Sequence, residues 1–303
     1  MRLSYSSSQP SCWRRFQLTK LLSTGQQIDR SDTPDTMFGR AWGAGVAELL
    51  LSGGDIERAI GKAFCEWDSS LEKAPKYLQV LFSGLFQIKE SFPFDEYAAL
   101  YLPDDRPAAE LGARIWLDEK GEQDYWVMFL DICMLHIPTG RPTVVEVKST
   151  KRADDPKVLF SNSPQGLQYS LVLPALFPEY SEHSWDTLYI VARVLNTYKP
   201  EIAIFPVEYS RADRLSALLS IMLEYDQINA MRKVDYFPKG KECVAFGRIC
   251  DFFGVCDNLA ASCKPLSLEL QNNLEGERNA QVIVDLHMQE LLEVEITPNL
   301  ERE

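Results

Sequence analysis

The stretch DYWVMFLDICMLHIPTGRPTVVEVKST, residues 124–150, constrains this chain more than any other. Two runs rich in β-branched and aromatic residues flank PTGRP at 138–142, a turn composition, so the stretch predicts two antiparallel strands. Glu146 and Lys148 are two apart and share one face, with Val145 and Val147 on the other. Symmetric pairing about Thr139–Gly140 would put Asp131 opposite Lys148 and diagonal to Glu146. Two carboxylates beside an ammonium suit a hard divalent ion, which is held by one or two carboxylates, water and substrate phosphate. Such an ion activates a bound water, and a nearby lysine can orient or deprotonate that water. The competing reading is a surface salt bridge on a half-exposed hairpin, and for E-x-K taken alone it is the stronger one.

The rest of the pattern surrounds this hairpin with helices. Residues 37–53 combine small residues with an apolar run and predict a tightly packed helix; further helices are expected at 55–72 and 75–91. Strands begin near 109, with a turn at 119–123. A helix is expected at 164–177, strands at DTLYIVARVL and EIAIFPVEY, and a long amphipathic helix at 210–233. Residues 4–22 suggest a capped helix carrying Cys12. Helices, a sheet, then helices again make an α/β (α+β) domain.

The order Asp131, then Glu146-Val147-Lys148, then Gln165-Gly166-Leu167-Gln168-Tyr169 resembles the RecB-like branch of the PD-(D/E)XK nucleases. That branch has an Asp ending one strand, E-x-K on the next, and Q-x-x-x-Y on the following helix. LSYSSSQPSCWRRF is similar to its opening serine-rich turn and Cys-bearing helix, and FGRAWGAGVAELL to its G-x-x-x-H segment. The resemblance implies a nuclease core with a central mixed sheet flanked by helices. It implies a Mg²⁺- or Mn²⁺-dependent deoxyribonuclease, in which Asp131, Glu146 and the Val147 carbonyl hold the metal. Lys148 would position or activate water, and Gln165 and Tyr169 would align the DNA strand. By the same resemblance the activity is phage-type: an exonuclease acting on DNA ends or single strands in phage or bacterial recombination or replication, with a partner protein from that machinery. One departure is plain: Gly43 stands where that segment carries its metal-binding His. Glu48, one turn on, and Glu110, opening the first strand, are candidates to replace it.

Cys243, Cys250 and Cys256 are spaced C-x6-C-x5-C. Relatives with iron–sulfur clusters take one ligand from the N-terminal helix and three from a C-terminal segment, so the resemblance implies a [4Fe–4S] centre on Cys12, Cys243, Cys250 and Cys256. Such a cluster would join the two ends of the domain. The family's C-terminal spacing is tighter, and only the second gap here matches it. Structural Zn²⁺ and unliganded thiols stay open as alternatives, as does Cys263 in place of one of the four ligands. Cys65 and Cys133 read as core.

The net charge is −13, which argues against a general nucleic-acid binder. Residues 265–303 hold nine acidic residues against Arg278 and Arg302, leaving −6 for the rest of the chain. The expected organisation is therefore a nuclease domain over 1–264, with a cysteine-rich segment at 243–263, followed by an acidic extension over 265–303. No apolar run is long enough to cross a membrane and no signal-peptide core is present, so the expected location is cytoplasmic, in the host if phage-encoded. The rival reading is a non-catalytic DNA-binding or scaffold protein that keeps the fold.

Overall fold

The computed structural model describes residues 2–3, 12–18, 22–23, 33–73, 75–118, 124–161, 163–180, 185–195, 198–238, 244–245, 248–249, 264–265 and 282–296. In chain order, strand β1 (Arg2–Leu3) precedes helix α1 (Trp13–Phe16) and strand β2 (Leu22–Ser23). Helices α2 (Pro34–Leu51), α3 (Ile56–Cys65) and α4 (Leu78–Ser91) follow. Then come β3 (Tyr97–Ala99), β4 (Ala109–Trp116), β5 (Tyr125–His136) and β6 (Arg141–Thr150). Helices α5 (Pro156–Phe160) and α6 (Pro164–Leu176) lead to β7 (Trp185–Arg193), β8 (Glu201–Tyr209) and the long α7 (Arg211–Lys233). Short strands β9 (Val244–Ala245), β10 (Arg248–Ile249) and β11 (Lys264–Pro265) precede β12 (Val282–His287) and α8 (Met288–Ile296).

The chain divides into two compact units. One comprises Ser31–Leu111 and Phe129–Arg214, and it holds the hairpin. Its sheet is mixed: β3 and β6 flank β5 antiparallel, β6 and β7 run parallel, and β8 returns antiparallel to β7. The parallel step needs a crossover, and α5 and α6 supply it. β7 is buried along nearly its whole length, as a central strand covered on both faces must be. Leu188, Ile190 and Ala192 join Val145 and the buried residues of α2, α3 and α4 in one core. Tyr189 and Val191 alternate to the other face and pack with Phe160 and Phe205. The result is a mixed α/β fold with a central sheet and helices on both faces.

Local chemistry sets the helix starts. Thr33 and Thr36 form a capping box before Pro34 at the head of α2. Asp55 accepts from the N–H groups of Glu57 and Arg58, both at 3.1 Å. The small residues of α2 permit close packing. A Cβ on Gly45 would lie 3.0 Å from the Ala63 Cβ and 3.1 Å from Leu85, so the glycine lets α3 and α4 approach.

The other unit comprises Met1–Arg30, Gly112–Met128 and Leu215–Glu303. β1 pairs in parallel with Tyr125–Trp126, and β12 lies beside β4, where Arg114 binds Asp285 at 2.7 Å. The two ends of the chain meet through the backbone. β2 pairs with β11, and the Arg14 N–H donates to the Pro238 carbonyl at 3.0 Å. Asp124 accepts from the Tyr225 hydroxyl at 2.9 Å and from Arg232 at 2.8 Å. Among the described residues, no helix is long and apolar enough to cross a membrane.

Candidate active site

The hairpin register differs from the symmetric expectation. His136 pairs with Arg141 and Ile132 with Val145, so Asp131 continues opposite Glu146 rather than Lys148. The turn decides this. A four-residue loop, Ile137–Gly140, closes the hairpin, and Gly140 takes the left-handed conformation (φ +65°) that ends it. Asp131 and Glu146 thereby share one face as direct cross-strand neighbours.

Ladder pairing between β5 and β6 ends at Ile132 and Val145. Just beyond it, the Val147 N–H donates to Asp131 Oδ2 at 2.9 Å. A carboxylate thus takes a backbone donor of the neighbouring strand. On the same strand, the fully buried Trp42 of α2 donates its indole N–H to the Lys148 carbonyl at 3.1 Å. Glu146 is only 1 % exposed. Its Oε1 forms an ion pair with the Lys148 ammonium, while its Oε2 is buried with no hydrogen bond of good geometry, the Tyr169 hydroxyl contributing least among the groups that act on this carboxyl.

These groups do not balance. Two carboxylates face one ammonium in a place where hydration is lost. Burial, then the charge of Asp131, pushes the Glu146 carboxyl up to about 8, against the opposing pull of Lys148. Burial also raises Asp131, with Lys148 and the Val147 N–H opposing. Burial alone would lower Lys148, but the two carboxylates outweigh it and hold its amine protonated.

Helix α6 carries the next pair. The Ser163 hydroxyl caps it, accepting from the Gln165 N–H at 3.4 Å. One turn apart, the Gln165 amide donates to the Tyr169 hydroxyl. Tyr169 is buried, and its hydroxyl is raised well above the ordinary range by that burial and then by the charges of Glu146 and Asp131. Gly166, between the pair, is required sterically: a Cβ there would lie 2.8 Å from the hydroxyl oxygens of Thr187, Tyr189 and Tyr209. The glycine lets α6 settle onto β7 and β8.

Glu48 is engaged elsewhere, its carboxylate 2.5 Å from Arg58 Nη2. The carboxylate that feels Asp131 is Glu110. It has a left-handed backbone (φ +50°) and is exposed at the surface, while crowding of its carboxyl by protein atoms, followed by the charges of Asp131 and Glu66, pushes it up to about 7. Gly43 stands in open space, and a Cβ there meets nothing within 4 Å, so packing does not forbid a larger residue. Among the described residues, no three His, Cys, Asp or Glu side chains stand in a metal-holding arrangement. The residues that fit a divalent ion are Asp131 and Glu146, with the orphaned Glu146 Oε2 as the open acceptor.

Of the cysteines assigned to a cluster, Cys12 is half-buried just before α1. Cys243, Cys250 and Cys256 lie outside the described residues. Cys133 is core, as expected, and burial pushes its thiol up to about 12; Cys65 is exposed, contrary to expectation, because it lies on the solvent side of α3. Two contributors were not legible as site residues. Trp42 looked like any core aromatic, and Lys76, in the loop before α4, carries no periodic or motif signal. Yet Lys76 is 3 % exposed, with its ammonium 3.5 Å from the hydroxyl of Ser149, next to Lys148 in sequence.

No protein-family model matches the chain, and no curated protein matches it. Among solved structures, it is similar to the crystal structure named "Putative exonuclease" from Eubacterium rectale, with 12% identity and a TM-score of 0.44 over 90% of this chain and 94% of that one. It is also similar to the crystal structure of SSO0001, with 14% identity and a TM-score of 0.24 over 65% of this chain and 78% of that one.

Proposed function

We propose that this chain is a metal-dependent DNA nuclease of the PD-(D/E)XK type, RecB-like branch, hydrolysing phosphodiester bonds as an exonuclease in phage or bacterial recombination or replication. The observation that carries the reading is the Glu146 carboxylate: buried beside Asp131, paired on one oxygen with Lys148, and orphaned on the other. A buried acceptor without a donor is costly, and a site with surplus negative charge is matched by a cation. Asp131, Glu146 and the Val147 carbonyl would hold Mg²⁺ or Mn²⁺, and Glu110 takes precedence over Glu48 as a further carboxylate. When bound, the ion acidifies a water and offsets the charge developing on the phosphate.

The chain's own groups have the remaining tasks. Lys148 stays an ammonium, and from that position it orients the attacking water and compensates phosphate charge. Asp131 is fixed by the Val147 N–H, and Lys148 by the Trp42 bond to its carbonyl, so both are preorganised. Gln165 and Tyr169, locked to one another on α6, align the strand.

The test is digestion of end-labelled single- and double-stranded DNA with Mg²⁺ or Mn²⁺, comparing wild type with Lys148→Ala. Wild type is expected to degrade DNA from an end, and Lys148→Ala to be slower by roughly 10²–10³-fold, the usual loss when one preorganised charge-stabilising group is removed. If wild type degrades no form of DNA with either metal, the nuclease reading is refuted and the scaffold reading takes its place.

A further inference from the structure

Beyond Lys148 on β6 lies a basic group to which the proposed metal chemistry assigns no task. The Lys76 ammonium is 3.4 Å from Asp35 Oδ1, 3.5 Å from Ser149 Oγ and 4.8 Å from the centroid of the Phe38 ring. Lys151 takes the same Asp35 oxygen at 2.6 Å. Two ammonium groups therefore share one exposed carboxylate. That local surplus of positive charge stands out in a chain of net charge −13.

The residue after Lys76 is Tyr77, whose ring stacks with Tyr198 at 6.3 Å between centroids and 21° between planes. Tyr198 is 71 % exposed, and the chain is anchored two residues on, at Pro200. Gln87 donates to the Pro200 carbonyl at 3.1 Å, and Pro200 packs against Gly84, where a Cβ would come within 3.2 Å of its ring. An aromatic face is thus presented to water two residues before an anchored proline and backed by a second ring, with Lys76 next to that ring in the chain and Lys151 sharing its carboxylate partner.

We propose that Tyr198, backed by Tyr77, and Lys151 form a subsite for single-stranded DNA: an unpaired base stacks on Tyr198 and a backbone phosphate binds the exposed Lys151 ammonium in competition with Asp35, while the buried Lys76 ammonium adds positive charge behind it. Stacking on an aromatic face is tolerant of sequence, because every base has a π-face. Lysine binds phosphate as a point charge and needs no fixed geometry. A base inside a duplex is already stacked on both faces and cannot use Tyr198, so the subsite selects unpaired strands. This deepens the nuclease reading by naming the strand form its site accepts, but the binding step itself needs no cleavage.

The experiment measures binding of a fluorescein-labelled oligo(dT) of about 12 nucleotides, within the usual single-strand site sizes. It uses fluorescence anisotropy with the full chain and no divalent metal. Tyr198→Ala is expected to weaken oligo(dT) binding about tenfold, in the range for loss of one base–aromatic stack. Tyr198→Phe keeps the ring and binds as wild type, and all three bind blunt duplex equally. Lys151→Ala lowers the slope of log affinity against log salt by about 0.7, one phosphate contact on a single strand. The proposal is overturned if Tyr198→Ala binds oligo(dT) as tightly as wild type, or loses the same factor on duplex. A chain that passes these binding tests yet degrades no DNA upholds the subsite and refutes the nuclease reading. One that degrades DNA while Tyr198→Ala binds normally does the reverse.

Discussion

Replacing Glu146 by Gln should stabilise the metal-free protein at alkaline pH and leave it nearly unchanged at acid pH. The carboxyl moves from an ordinary 4.5 up to about 8 in the folded chain. Between those values the folded state keeps a proton that the unfolded chain has released, so stability contributed by this group falls as pH rises through that window. Each tenfold change in proton affinity is worth about 1.4 kcal/mol, so full ionisation costs on the order of 5 kcal/mol. The attraction of Lys148 is already contained in that shift, but relaxation of the pocket and entry of water on ionisation bring the expected cost to about 2 kcal/mol. At roughly 2 °C per kcal/mol for a chain of this length, Glu146→Gln should raise Tm by about 4 °C at pH 8.5. At pH 5, near the bottom of that window, the folded wild-type carboxyl is protonated and isosteric with the amide, so the two proteins should melt within about 2 °C of one another. The raised carboxyl of Glu110 is present in both proteins and cancels. Differential scanning calorimetry without divalent metal reads both values. Mn²⁺ should then raise the wild-type Tm and leave Glu146→Gln unmoved. Equal shifts at the two pH values, or a Glu146→Gln protein less stable at pH 8.5 than at pH 5 relative to wild type, would refute the charge argument.

Gly43 and Gly45 lie two apart on α2 and should respond oppositely to alanine. Gly43→Ala should gain roughly 0.5–1 kcal/mol in urea denaturation through helix propensity, because its Cβ meets nothing. Gly45→Ala should lose about 1–3 kcal/mol, because its Cβ lands on Ala63 and Leu85. Glu110→Gly should raise stability by about 1 kcal/mol by relieving a left-handed backbone, and should lower the cleavage rate if the carboxylate serves the site. A rise in both would remove Glu110 from the site. Iron analysis of anaerobically purified protein should find about four irons per chain if Cys12, Cys243, Cys250 and Cys256 hold a cubane cluster; zinc or no metal would exclude it.

The hairpin's strands, the shared face of Glu146 and Lys148, and the one-turn spacing of Gln165 and Tyr169 were legible because each follows from a local period of two or of nearly four. The register was not. A one-residue change in where a turn closes shifts cross-strand partners by two while preserving every apolar alternation, so the pattern of Val144 to Val147 could not distinguish Lys148 from Glu146 as the partner of Asp131. Glu48 and Glu110 were equally silent. Both are carboxylates near a strand or helix boundary, and only the fold turned one to Arg58 and set the other in the field of Asp131. Lys76 gave no sign at all, because a buried lysine in a loop is defined by what packs over it.

By itself, the order of residues determined which groups could do chemistry: an aspartate, E-x-K, Q-x-x-x-Y, and too little positive charge to bind nucleic acid without a concentrated site. Tertiary structure alone decided their state. It buried Glu146 beside Asp131 with one oxygen orphaned, kept Lys148 protonated between them, and gathered Lys76 and Lys151 on one carboxylate. The physical reason is that a side chain's covalent chemistry is local, whereas its charge and hydration depend on neighbours far away in the chain.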